Sequence, residues 1–253
     1  MSCWILLRGL TREARHWGDL PERLVARLGG ASVAALDIPG NGVRYRERSP
    51  TSVEAMVAVC RETLDATEHE PPYILVGMSL GAMVATSWAS LHADEVSGVV
   101  LINSSSRALS GWHRRLRWQQ IPTLLRIVAT RDAIVRERRV LHLTTRHPPQ
   151  PEITLLASWA DWRRQHPVSI TNAIRQLLAA ARYRLPETLA PLPLLVLASA
   201  MDALVDPACS LALARAWGAD LRVHPTAGHD LPLDDGDWVA QQVSAWWLSL
   251  LPE

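Results

Sequence analysis

Residues 73–85 read YILVGMSLGAMVA, an apolar run that meets a serine boxed by glycines and then continues as an apolar helix. A buried parallel strand ending near Val76, followed at once by a helix, needs a very tight turn. Gly77 and Gly81 must lack Cβ atoms there for strand and helix to approach. Ser79 then stands at the tip. The spacing is that of the G-x-S-x-G nucleophile elbow, a strained turn that lifts a hydroxyl out of a sheet at a helix N-terminus, where developing negative charge is favoured. So short a pattern arises by chance in many chains. Here Ile74, Leu75 and Val76 before it and Ala82 to Ala85 after it supply the strand–turn–helix setting it requires.

Short apolar runs alternate with helical patterns along the rest of the chain, which predicts a parallel sheet with crossover helices. Strands are expected at Cys3 to Leu7, Ser32 to Asp37, Tyr73 to Val76, Val96 to Ile102, Leu194 to Ala198 and Asp220 to His224. Helices are expected near Leu20 to Leu28, Val53 to Ala66, Leu80 to Leu91, Pro207 to Trp217 and Trp238 to Leu250. The rhythm breaks from Ser104 to Ala190, where only amphipathic segments such as Ile121 to Thr130, Ala133 to Leu143 and Ile153 to Trp162 are legible. Residues 1–103 and 191–253 are therefore expected to form one α/β core, and 104–190 a helical lid over its C-terminal edge. A chain of 253 residues with 48% apolar content is enough for one large core.

A serine hydroxyl is a weak nucleophile until a base takes its proton, and the base needs an acid to fix its tautomer. With this elbow the chain order is serine, acid, histidine. Directly after the strand LLVLA comes SAMDALVDPA, which puts Asp202 on a loop at a strand C-terminus, where open parallel sheets gather their functional groups. Asp206, before Pro207, fits a helix cap better. After the last strand comes PTAGHDLPLDD. Gly228 frees the backbone just before His229, whereas the rival His224 lies within the strand. Asp230 is adjacent to His229 in sequence, a poor position from which to orient its ring, and reads as a structural hydrogen-bonding group.

Acyl transfer also passes through an oxyanion, which needs two preorganised backbone donors. The expected pair is the N–H of Leu80, after the nucleophile, and that of Leu10, in the Gly9-containing loop LLRGLTREARHW after the first strand.

These residues together resemble the α/β-hydrolase superfamily over essentially the whole chain. The matches are RGLT after the first strand, DIPGNG at 37–42, GMSLGAM at the elbow, VVLINSS after it, SAMDALVDP and AGHDLPLDD. The resemblance implies a doubly wound, mostly parallel sheet of about six strands, trimmed of the family's N-terminal strands. It also implies a serine hydrolase acting on carboxylic esters or thioesters through an acyl-enzyme on Ser79, with no cofactor and no metal. The family usually carries His before the oxyanion-loop glycine. Here that residue is Arg8, so the hydrogen bonding of the loop must differ.

Two other functions are compatible with the same residues: a lyase or C–C-bond hydrolase whose lid arginines grip a carboxylate substrate, and a non-catalytic ligand receptor. An intact triad argues against the receptor. The expected partner is a small-molecule acyl ester, and oligomeric state is not legible.

Charge narrows the remaining classes. The formal net charge is +1, but residues 104–190 hold 15 arginines against 5 acidic residues. Arg114, Arg115, Arg117, Arg163 and Arg164 would gather anions at the mouth if they face inward. Trp112, Trp118, Trp159 and Trp162 interleave with the lid arginines, the composition of a surface that could lie against a membrane. No nucleic-acid recognition motif accompanies the charge. The N-terminal MSCWILLRGL has neither a basic region nor a long apolar run, which predicts a cytoplasmic protein without stable membrane insertion. Cys3, Cys60 and Cys209 have no metal or disulfide spacing and read as small apolar filler.

Overall fold

The computed structural model describes residues 3–186 and 191–251. Six strands, β1 (Cys3–Leu7), β2 (Val33–Leu36), β3 (Tyr73–Met78), β4 (Val96–Ile102), β5 (Leu194–Ser199) and β6 (Asp220–His224), form one parallel sheet in the order β2-β1-β3-β4-β5-β6. All six expected strands are present, within a few residues at their ends. The three central strands are nearly continuous apolar runs because helices cover both faces of the sheet. Successive side chains alternate between the two layers. Ile5, Leu7, Leu75, Val99 and Leu101 pack to one side, and Trp4, Leu6, Ile74, Val76, Val100 and Ile102 to the other.

The helices are α1 (Leu20–Arg27), α2 (Val53–Asp65), α3 (Leu80–Leu91), α4 (Trp112–Arg115), α5 (Ile121–Ala129), α6 (Ala133–Thr144), α7 (Glu152–Gln165), α8 (Ile170–Arg182), α9 (Ala208–Trp217), α10 (Leu231–Asp234) and α11 (Gly236–Leu248). α2 and α3 cover the first face, and α1 and α11 the second. Between β4 and β5 lie α4 to α8. There α5 packs on α6 and α6 on α7, while α8 returns to the core and packs on α3. The expected lid end at residues 187–190 lies outside the described residues. The three cysteines are buried free thiols, and burial pushes Cys60 up to about 12.

From β1 the chain first goes to β2 on one side and later to β3 on the other. The crevice at the C-terminal ends of β1 and β3 is thus the topological switch point, where open α/β sheets place their ligand sites. The loop bearing Gly9 and Leu10 and the turn bearing Ser79 both emerge there.

Candidate active site

Ser79 occupies the turn between β3 and α3 with φ 54° and ψ −114°, a region an L side chain rarely adopts. Such a residue costs on the order of 1–3 kcal/mol and persists only where its surroundings fix it. Its N–H donates to the Ile102 carbonyl at 2.9 Å, and its carbonyl accepts from the Ser104 hydroxyl at 2.9 Å. The flanking glycines are sterically required. A Cβ on Gly77 would lie 2.5 Å from Ala82 Cα, and one on Gly81 would lie 1.9 Å from the Leu7 carbonyl oxygen.

That contact presses the end of β1 against the start of α3. Just beyond it Gly9 faces Ser79, where an added Cβ would stand 3.2 Å from Ser79 Cβ. Leu80 is the first residue of α3, so its N–H has no acceptor within the helix. The Leu10 N–H has no protein acceptor among the described residues.

Asp202 and His229 meet beyond the C-terminal ends of β5 and β6. His229 Nδ1 lies 2.7 Å from Asp202 Oδ2, with both side chains almost fully buried. A carboxylate only accepts, so Nδ1 carries the proton and Nε2 is left as the basic atom. The other oxygen, Asp202 Oδ1, accepts from the N–H groups of Leu204 and Val205 at 2.8 and 2.9 Å, which fixes the carboxylate. Burial pushes the His229 ring pKa down, but the charge and hydrogen bond of Asp202, with Asp230 behind them, outweigh it and leave the pKa above its ordinary value. Among the described residues no hydrogen bond joins the Ser79 hydroxyl to the His229 ring.

The alternatives to this pair have other work. Asp206 accepts from the Ala208 N–H at the start of α9, and His224 Nδ1 accepts from the Ala227 N–H. Asp230 takes both terminal nitrogens of Arg8, at 3.1 and 2.6 Å, in a bidentate pair with side chains 2% and 4% exposed. The Arg8 guanidinium also lies 4.9 Å from the Trp17 ring centroid.

Several supporting residues are not legible in the sequence. Asn103, at φ 47° just past β4, donates to the His229 carbonyl at 2.8 Å and accepts from the Ser199 N–H at 2.8 Å. It thereby joins the ends of β4 and β5 to the histidine loop. An asparagine directly after a strand is the available signal, since Asn tolerates positive φ.

The loop after β1 is braced by α6 and α8. Thr11 N–H donates to Gln176 on α8 at 2.9 Å, and Gln176 also donates to Asn41 Oδ1 at 2.8 Å. Arg12 pairs with Glu137 on α6 at 2.8 Å and lies 4.4 Å from the Trp159 ring. Arg163 pairs with the other oxygen of Glu137. Burial pushes the Glu137 carboxyl up, yet the two guanidinium groups hold it below the ordinary range.

Two more arginines of the segment between β4 and β5 are engaged. Arg115 donates to the carbonyls of Ala180 and Ala181, and Arg164 pairs with Asp161 at the surface. Arg114 is exposed. Trp159 is buried, whereas Trp112 and Trp118 are 70% and 57% exposed. No helix among the described residues is long and apolar enough to cross a membrane. Among the described residues no cluster of three or more His, Cys, Asp or Glu side chains is arranged to hold a metal ion.

Comparison with known proteins agrees with this architecture. The alpha/beta hydrolase family profile matches residues 4–242, and the chain belongs to that family. Lipase LipV of Mycobacterium tuberculosis is 30% identical over 99 residues, which cover 39% of this chain and 36% of that protein. The match thus spans about a third of the lipase's length. Among solved structures, the enol-lactonase of Burkholderia xenovorans LB400 superposes with TM-score 0.75 at 20% identity, over 98% of this chain and 92% of that one. A lipase-esterase related protein of Clostridium acetobutylicum superposes with TM-score 0.71 at 15% identity, over 97% and 94%. These likenesses define the fold.

Proposed function

We propose that the protein is a serine carboxylesterase that cleaves small acyl esters, or thioesters, through an acyl-enzyme on Ser79. The observation that carries this reading is the buried 2.7 Å contact between His229 Nδ1 and Asp202, at the same sheet edge as a serine held in the elbow conformation. The lipase similar over part of its length supports the same bond class.

In the proposed reaction Ser79 Oγ attacks the acyl carbon as its proton passes to His229 Nε2. The carbonyl oxygen becomes an oxyanion, with the N–H groups of Leu10 and Leu80 as donors. The tetrahedral intermediate then expels the alcohol, which leaves with the proton from His229. Water, deprotonated by the same nitrogen, attacks the acyl-enzyme, and collapse of the second intermediate returns that proton to Ser79. Asp202 holds the ring in the tautomer that leaves Nε2 free. Each donor of an oxyanion hole is typically worth about 10²–10³ in kcat.

The test is turnover of p-nitrophenyl esters of graded acyl length by the wild type and by Ser79→Ala. The expected result is measurable hydrolysis with a preferred chain length, lost in the variant. A variant retaining activity within about tenfold of wild type would remove Ser79 as nucleophile.

A further inference from the structure

Arg8 stands one residue before Gly9 and two before Leu10, and Asp230 stands one residue after His229. Their bidentate contact is buried and joins two loops separated by more than 200 residues. The Asp230 N–H donates to the Thr144 carbonyl at the end of α6, at 2.7 Å. The first turn of α10 follows Asp230 directly, with the Leu233 N–H returning to its carbonyl at 3.1 Å. Asp230 is therefore fixed from its backbone as well as from its side chain. Arg8 is fixed too, at the end of a fully buried strand and beside Trp17.

Burying an ion pair is costly unless its geometry is good, and surface pairs contribute little to stability. A fully buried fork-to-fork contact between the two loops is therefore informative about what those loops must do. We propose that Arg8 and Asp230 are positioning residues, a latch that sets the oxyanion loop relative to the histidine and keeps the charge next to the histidine balanced. This rests on the serine-hydrolase reading of the site.

Two consequences separate a latch from a merely structural pair. Preorganisation of the oxyanion loop is felt mainly in the transition state, so loss of the latch should lower kcat much more than it raises KM. The second consequence concerns charge. The charged groups acting on the His229 ring are Asp202, from the loop after β5, Asp230, on its own loop, and Arg8, from the end of β1. Asp230 favours the protonated ring and Arg8 opposes it. Removing one partner leaves the other uncompensated, so the two single variants should displace the acid limb of activity in opposite directions.

The experiment is the pH dependence of kcat/KM for Arg8→Met, Asp230→Asn, Arg8→Lys and Ser79→Ala, each checked for folding by circular dichroism and thermal melting. Arg8→Met should move the acid limb to higher pH and Asp230→Asn to lower pH, each by about half a pH unit or more. Both should lose about 10–100-fold in kcat. Arg8→Lys keeps the charge but not the fork, and should lose kcat without moving the limb. Should Arg8→Met not fold, the near-isosteric Asp230→Asn carries the test alone through its downward shift.

Limbs that stay in place, or that move together, overturn the latch. If Ser79→Ala is inactive at the same time, the serine reading stands and only the latch falls. Activity persisting in Ser79→Ala overturns both.

Discussion

Asp202 Oδ2 lies 2.7 Å from His229 Nδ1, while the second oxygen of the same carboxylate is held by the N–H groups of Leu204 and Val205. The acid is thus fixed by the backbone of its own loop before it fixes the histidine. Replacing Asp202 by Asn offers an amide that can present its N–H₂ to Nδ1, which favours the wrong tautomer. Turnover should fall about 10⁴-fold, the size of tautomer errors in serine proteases. Asp206→Asn, which alters only the turn leading into α9, should stay within about tenfold of wild type. Steady-state kinetics of the two purified variants checks the ranking, and a reversed order would reassign the acid.

The same contact sets the pH profile. The folded-state pKa of His229 is raised above its ordinary value of 6.5, and the ring must be neutral to act as base. Activity should therefore be lost as pH falls through a value above 6.5. In Asp202→Asn the residual activity should show its acid limb at lower pH, because the charge that favours the imidazolium is gone. For stability the sign is opposite. The contribution of the pair is fully present below the unfolded pKa of the histidine and is lost as pH rises through the folded one.

The fold was largely legible because its signals are local. β3, the glycine-boxed Ser79 and α3 form one uninterrupted pattern, and Asp202 and His229 each follow a strand on a turn-forming loop, the apolar β5 and the short β6. α8 was not legible, for a physical reason. Its inward face carries the buried polar residues Asn172 and Gln176, while Ile170, Ile174 and Leu177 are 60%, 52% and 47% exposed. The helix turns these amides and small alanines such as Ala179 inward and its larger aliphatic side chains outward, so hydrophobic periodicity points away from its packing face. Arg8 with Asp230, and Arg12 with Glu137, were hidden for another reason. Each is a contact between residues more than 100 positions apart, and single-chain patterns carry no information on such pairs.

Glu137 is 1% exposed and binds two guanidinium groups, so Glu137→Gln leaves Arg12 and Arg163 with weaker partners in a buried setting. Breaking a buried ion pair on one side costs about 3–5 kcal/mol. Urea denaturation should show a loss of that order at neutral pH. The folded pKa of Glu137 lies below its ordinary value, so its contribution is present above the unfolded pKa and is lost as pH falls through the folded one. The gap between wild type and variant should close in acid. A gap independent of pH would mean that packing, and not charge, carries the effect.

Gly9 faces Ser79 at a distance where an added Cβ forces a neighbour to give by a few tenths of an ångström. Gly9→Ala should disturb Ser79 and the adjacent Leu10 amide together, lowering kcat about 10–100-fold. Melting temperature should change little, because the one tight contact is with the Ser79 side chain, while the Met78 carbonyl would stand at ordinary contact distance, 3.4 Å. A fall in stability with kcat preserved would place the pressure elsewhere.

The partners of three arginines between β4 and β5 bear on substrate charge. Arg163 is held by Glu137 and Arg164 by Asp161, and Arg115 donates to the carbonyls at the end of α8, so these three are engaged within the protein rather than offered to a substrate. For esters of equal acyl length, one neutral and one bearing a carboxylate in its leaving group, kcat/KM should follow parallel curves as salt is raised. The Debye length is about 10 Å at 0.1 M salt, so a selective fall for the anionic ester would reveal electrostatic capture instead.

Trapping the activated serine tests the central claim most directly. The protein is treated with a fluorophosphonate ester, which phosphonylates an activated serine, and is then measured by intact mass and peptide mapping. The account predicts one adduct per chain, located on Ser79, absent from Ser79→Ala and much slower to form in His229→Ala. An adduct that persists in Ser79→Ala, or that maps to another residue while esterase activity is lost, would contradict it.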